Sequence, residues 1–312
     1  MAKSQYNRSP LFMRKQPGSI WTIEDLVEHP GNIFFVDSGA TGASDAATHG
    51  LSPDAPFATL DYAVGNCTAS NGDVIYLMPG HAETIIADSG VDIDVAGVKV
   101  IGLGWGASRP TFTFTTAVTA DFKLAAASVH VENVLFLGGI DATTGVIEVT
   151  GADCVLKNIE YRDSTGQATD AIVLDGADRC LIDGLVFIGA AADGGDTAIT
   201  IDESDDVEIR NFRIYGNFDE GGIECRDAAS ARLWVHDGLI WTEGSEDLAI
   251  KDVVTGSTGI IGPNLFLNLE DDAANVTEAV TGATFNVFDP VYVCNAANQK
   301  ALLINWTAVA DS

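Results

Sequence analysis

At 312 residues, with 46% hydrophobic residues and 32 glycines spread along it, the chain reads as a soluble protein of short strands and tight turns. No stretch approaches the roughly 18 to 20 apolar residues of a membrane span, and the N-terminus lacks the apolar core of a secretory signal, so synthesis in a cytoplasm without secretion is expected. A net charge of −29, from 16 basic and 45 acidic residues, sets the body against nucleic acid and anionic membranes as partners.

The first 30 residues differ from the rest. Lys3, Arg8, Arg14 and Lys15 are all the charges of residues 1–20, and Pro10, Pro17 and Pro30 alternate with scattered large apolar groups. This is an arm without core periodicity. Arg8, Phe12, Arg14, Lys15 and Trp21 are its candidate partner-binding residues, and a short helix is expected to start at Thr22, with Asp25 three positions on.

The body opens with the strand pattern Ile33-Phe34-Phe35-Val36, a turn-rich stretch to Pro56, then Phe57-Ala58-Thr59-Leu60 and a helical pattern over 61–67. Gly72-Asp73 leads into Val74-Ile75-Tyr76-Leu77-Met78, ended by Pro79-Gly80. From there the chain repeats. Gly102, Asn133, Asn158, Gly184, Asn211, Gly238 and Asn264 each precede a short apolar run, and their numbers step by 31, 25, 26, 27, 27 and 26. Each anchor is preceded by alternating segments such as Val207-Glu208-Ile209 and Ile199-Thr200-Ile201. Three short strands per unit predict an all-β single-stranded solenoid, a right-handed parallel β-helix of about 25 residues per rung with a short N-terminal cap helix. Asn at four of the seven anchors predicts an internal Asn ladder bonding turn to turn.

Three regions follow: the basic anchoring arm 1–30, the parallel β-helix 31–272 with a cap over 33–80, and closing strands or an oligomer contact over 273–312. In the last, Phe285-Asn286-Val287-Phe288 and Val291-Tyr292-Val293-Cys294 read as strands, and 301–306 as a segment that closes the end or pairs with another chain.

Chemistry is sparse. Gly102-x-Gly104-x-x-Ala107 matches a dinucleotide fingerprint, but Pro110 and the strand pattern Thr111-Phe112-Thr113-Phe114 deny it the helix it needs. The five cysteines are an odd number without Cys-x-x-Cys and read as small core residues. The five histidines are isolated, with no zinc or triad spacing. Asp175 and Asp202 both stand nine positions before their anchors and should stack one rung apart, where they would bind a cation or share a proton. Glu224, with Glu148, is a further acid on a neighbouring strand. Asp202, Asp205 and Asp206 offer oxygen ligands to calcium, without the spacing of a calcium loop. No metal site or other cofactor is otherwise indicated.

The opening strand, the Pro-Phe-Ala-Thr-Leu entry at 56–60 and the Gly-Asp-Val-Ile-Tyr-Leu-Met-Pro-Gly rung at 72–80 resemble the N-terminal cap of pectate-lyase-like β-helix proteins. Pectate lyases hold calcium on Asp residues beside an Arg or Lys base; Arg226 beside Asp227 is the one comparable arrangement, and it matches no family motif. The leaderless, acidic body and basic arm look like the β-helical structural proteins of tailed bacteriophages. That resemblance implies a virion protein, capsid-decorating (cement) or head-fibre, docked on capsid proteins through its arm and associating as a homo-oligomer, such as a trimer. The alternative is a tailspike-type protein that binds or cleaves host polysaccharide with Asp175, Asp202 and Glu224.

Overall fold

The computed structural model describes residues 12–15, 21–23, 31–163, 168–189, 195–243, 249–254, 256–269, 280, 284–295 and 302–303. Its strands stack into three sheets that wind as a parallel β-helix. The first sheet runs from Ile33–Val36 to Phe285–Val287, the second from Ala82–Ile85 to Val291–Asn295, and the third from Val91–Asp92 to Ile250–Asp252. Seven complete coils, one strand from each sheet, lie between Val74 and Asp252. Along the first sheet from Val74 to Trp234, register partners differ by 25 to 27 in residue number, save the step of 31 from Lys99 to His130. The longer step absorbs Trp105 and the 3-10 turn Gly106–Ser108, so the dinucleotide-like string carries no long helix.

Alternation makes the coil. In strands such as Lys99–Gly102 and Thr111–Phe114, every second residue is buried, which sends one set of side chains to the axis and the other to solvent. Like residues then stack on like: Phe112, Phe122 and Phe136 pack with centroids 5.0 to 5.8 Å apart, and Tyr161 lies flat on Phe187 at 4.9 Å. Cys154, Cys180 and Cys225 fill the same core, whereas Cys67 and Cys294 are half-buried.

The corners hold the repeat in place. Between the first and second sheets, Asn133, Asn158, Gly184, Asn211, Asp237 and Asn264 all have positive φ, from 50° to 84°. Asn is favoured there for its tolerance of the left-handed region. The expected internal Asn ladder is therefore external: Asn158, Asn211 and Asn264 are exposed, and the amides of Asn211 and Asn264 donate outside the core to Asp183 (2.7 Å) and Asp237 (2.8 Å) one coil back. Two anchors also shift, from Gly102 to Gly104 (φ 97°) and from Gly238 to Asp237; Gly102 and Gly238 are strand residues, and a Cβ added at Gly238 would lie 2.3 Å from the Phe212 ring. The internal ladder is made of serine. Buried Ser204, Ser230 and Ser257 accept from the N–H of Ala177, Ser204 and Ser230, at 2.9, 2.9 and 3.4 Å, each bond spanning one coil.

At the N-terminal end, the five-residue helix Leu60–Val64 packs against Ile33–Val36 and Val91–Asp92, where the opening coil lacks a third-sheet strand. It is less than two turns long and contributes Leu60, Ala63 and Val64 to the core. Buried Asp73 ties this end, accepting from Asn32 N, Asn71 Nδ2 and Thr68 N at 2.6 to 2.7 Å. In the arm, Phe12–Lys15 pairs antiparallel with Trp21–Ile23. Thr22 thus belongs to a strand and starts no helix; a β-branched residue between Trp21 and Ile23 suits extended pairing. Past residue 272, where the sequence repeat fades, the first two sheets gain one strand each, and Leu302–Leu303 adds antiparallel to Tyr292 and Val293.

Candidate functional site

The third sheet carries the chemistry. Its outward column runs Lys123, Glu148, Val173, Thr200, Glu224 and Lys251, all in register. Inward partners Ile147, Ile172, Ile199 and Ile223 are fully buried and hold the strands in place.

Asp170 heads its strand, opposite Thr197. One of its oxygens accepts from the hydroxyls of Thr197 and Thr200, both at 3.0 Å, and the other accepts from Arg226 Nη2 at 2.6 Å. The same guanidinium places Nη1 3.5 Å from Glu224 Oε2, an atom that is buried and has no hydrogen bond. Burial pushes the Glu224 carboxyl up; Arg226 opposes this, and Asp170 and Asp196 reinforce it. Half-buried Asp196 is likewise raised, by burial and then by Asp170 and Asp219, against Arg226 and Lys251. Lys251 is paired with Glu220 at the edge of the group. The arrangement is a set of close carboxyls with one guanidinium bridging two of them. Such a set holds a proton more readily than free carboxylates do and can hydrogen-bond a polyhydroxy ligand.

A second acidic group stands at the other end of the column. Asp121, only 5% exposed, is pushed up to about 6 by burial against a hydrogen bond from Ser89 N, with Asp88 and Glu148 adding repulsion. Lys123 Nζ meets Glu148 at 3.0 Å.

Asp175 and Asp202 are register partners, one coil apart. Their surroundings are structural. Asp175 is exposed, and Asp202 accepts from Ala228 N in the next coil at 2.7 Å. Glu224 lies opposite Thr200 instead, in the neighbouring outward column, so the three acids do not form one set. The calcium reading of Asp202, Asp205 and Asp206 also meets other bonds: Asp205 accepts from Ala231 N at 2.7 Å, and Asp206 takes the Arg232 guanidinium in a two-pronged pair at 2.6 and 2.7 Å. Among the described residues, no group of three or more His, Cys, Asp or Glu is placed to hold a metal ion. Arg232 repeats a motif one coil wide, since Arg179 grips Asp153 in the same way at 2.7 and 2.9 Å.

Sequence reasoning passed over Asp170, Asp196, Thr197 and Thr200. A signal existed: Asp170-Ala171-Ile172 and Thr197-Ala198-Ile199 are the same strand start in successive coils, each with a polar residue at a buried place. Of the arm residues, Arg8 lies outside the described residues, and Phe12, Arg14, Lys15 and Trp21 lie in the two paired strands.

No protein-family model matches the sequence, and no curated protein does. A solved rhamnogalacturonan lyase is similar in structure, with a TM-score of 0.47 and 12% identity over 88% of this chain and 90% of that one.

Proposed function

We propose that the chain is a structural protein of a tailed-bacteriophage particle, a capsid-decorating or head-fibre protein docked through its N-terminal arm. The observation that carries this reading is how charge is used. The acids at repeated positions, Asp153, Asp183, Asp202, Asp205 and Asp206, bond one coil to another. The cationic and aromatic residues Arg8, Phe12, Arg14, Lys15 and Trp21 are gathered ahead of the solenoid. A self-contained rod with a separate adhesive segment suits display on a larger surface. The test is sedimentation with purified particles. Full-length protein should travel with them, and a chain lacking residues 1–25 should stay behind with the β-sheet circular dichroism of the solenoid retained. Particle binding by the truncated chain would end the arm hypothesis.

A second reading, binding or cleavage of a host surface polysaccharide, draws on Glu224. This carboxyl is 2% exposed, raised by burial and set beside Arg226 on the outward face of the third sheet. Glycosidic cleavage needs a carboxyl with a raised pKa together with a second, ionised carboxylate, and Asp170 and Asp196 are the carboxyls that act on Glu224 from close by. Incubation with host surface polysaccharide should release fragments with the native chain and not with Glu224→Gln. If the native chain releases none, the cleavage reading is lost.

A further inference from the structure

The three faces of the solenoid differ in charge, and the second sheet is the exception in an acidic molecule. Its nine parallel strands run from Ala82–Ile85 to Val291–Asn295. Two outward columns cross them, one through Thr111, Leu135, Glu160, Val186, Arg213, Leu239, Phe266 and Tyr292 in register, the other two residues further along each strand. In a chain with 45 acidic residues, these columns hold one carboxylate, Glu160. It is already neutralised by Arg109 at 2.7 Å and Arg162 at 2.6 Å. The apolar members include Leu137, Val186, Ile188, Leu239, Phe266 and Tyr292. Ile188 and Phe266 are 40% and 50% exposed, and Phe266 stacks on Tyr292 at 5.1 Å. The outward face of the first sheet, by contrast, carries Glu132, Lys157, Asp183, Glu208 and Arg210 in ion pairs, and the third carries the acids described above.

We infer that the outward face of the second sheet is a self-association surface, occupied by a second copy of this chain. Charge decides the occupant. Two copies of a protein with a net charge of −29 repel one another wherever acids meet, and this is the face on which they meet almost none. Its size also fits. Nine strands at ~4.8 Å spacing and about four residues wide span roughly 38 by 13 Å, a footprint of about 500 Å² per copy before side-chain relief is added, which reaches the ~1,000 Å² in total that a specific interface requires. A groove of about 500 Å³ at the corner with the first sheet, lined by Arg213, Leu239, Phe266 and Asn264 among others, offers the face a concave edge. Self-association through this face does not depend on docking to a particle.

The experiment is analytical ultracentrifugation of the full chain from micromolar to submillimolar concentration. The native chain should sediment as an oligomer. Phe266→Glu, alone and with Leu239→Glu, should weaken association by about a hundredfold or more, since like charges would then face each other across the contact. Ile260→Glu makes the same change at a 36% exposed site on the first sheet and should leave the oligomer intact. Hydroxyl-radical footprinting supplies a readout without substitution: labelling of Phe266 and Tyr292 should fall as concentration rises. A native chain that stays monomeric, or an oligomer dissociated by Ile260→Glu and not by Phe266→Glu, overturns the inference. In the monomeric case the face would serve a different partner, such as a capsid protein or a glycan.

Discussion

Replacing Arg226 by methionine keeps much of the aliphatic stem and deletes the guanidinium between Asp170 and Glu224. Those two side chains are 4% and 2% exposed, so water cannot take the place of the lost cation. Removing one partner of a buried pair costs ~3–5 kcal/mol. Arg226 is itself 29% exposed and already partly screened, so about 2–3 kcal/mol is expected at neutral pH. The loss should depend on pH with a definite sign. Glu224 is raised in the folded chain above its ordinary 4.5, and without Arg226 it rises further. A carboxyl with a raised folded pKa binds more protons folded than unfolded, so its contribution to stability falls as pH climbs from the unfolded pKa through the folded one. The variant's deficit therefore grows as pH climbs above 4.5 and shrinks as pH drops back toward it. The pair joins coils two apart, and stability in a solenoid is carried mainly between neighbouring coils, so the loss is confined to the stretch from Asp170 to Arg226. Amide exchange of Ile199 and Ile223, followed at about pH 7.5 and about pH 5, with urea unfolding alongside, reads it. A loss below about 1 kcal/mol, or one equal at both pH values, would refute the compensating role of Arg226.

Ser230→Ala strands the buried N–H of Ser204 and should cost about 1–3 kcal/mol in urea unfolding, against near neutrality for an exposed serine. Asn211→Ala keeps a φ of 55° without the amide bond to Asp183 and should lose about 1 kcal/mol, most of it regained in Asn211→Gly. Asp121 and Asp163 are both pushed up to about 6 by burial, so the folded chain holds extra protons between 3.8 and about 6. The stability they contribute should fall as pH rises through that window, and Asp121→Asn, which can still accept from Ser89 N, should match or exceed the native chain in thermal unfolding at neutral pH.

Much of this molecule is written in its period. A repeat of about 26 residues between Asn and Gly anchors is enough to infer stacked coils of three short strands. It also puts Asp175 beside Asp202, because a column in a solenoid is simply a residue number taken modulo the repeat. What spacing does not carry is direction. Whether a polar residue at a repeated place faces the axis or the solvent depends on the local turn, which is why the ladder inside the core is serine and the asparagines stand outside it, at positive φ. Nor does spacing tell which columns touch. Asp170 and Arg226 are 56 residues apart and belong to different columns, and only the bend of the chain after Cys225 brings the guanidinium onto that carboxylate and toward Glu224. The acid-poor second sheet is likewise invisible in composition, since a net charge is a sum and carries no face. Alternation and period are local properties of the chain, and they suffice for the coil. Which acids bond coils together, which are buried with raised pKa values, and which face of the rod is left without charge depend on contacts between coils, and those exist only once the chain has wound.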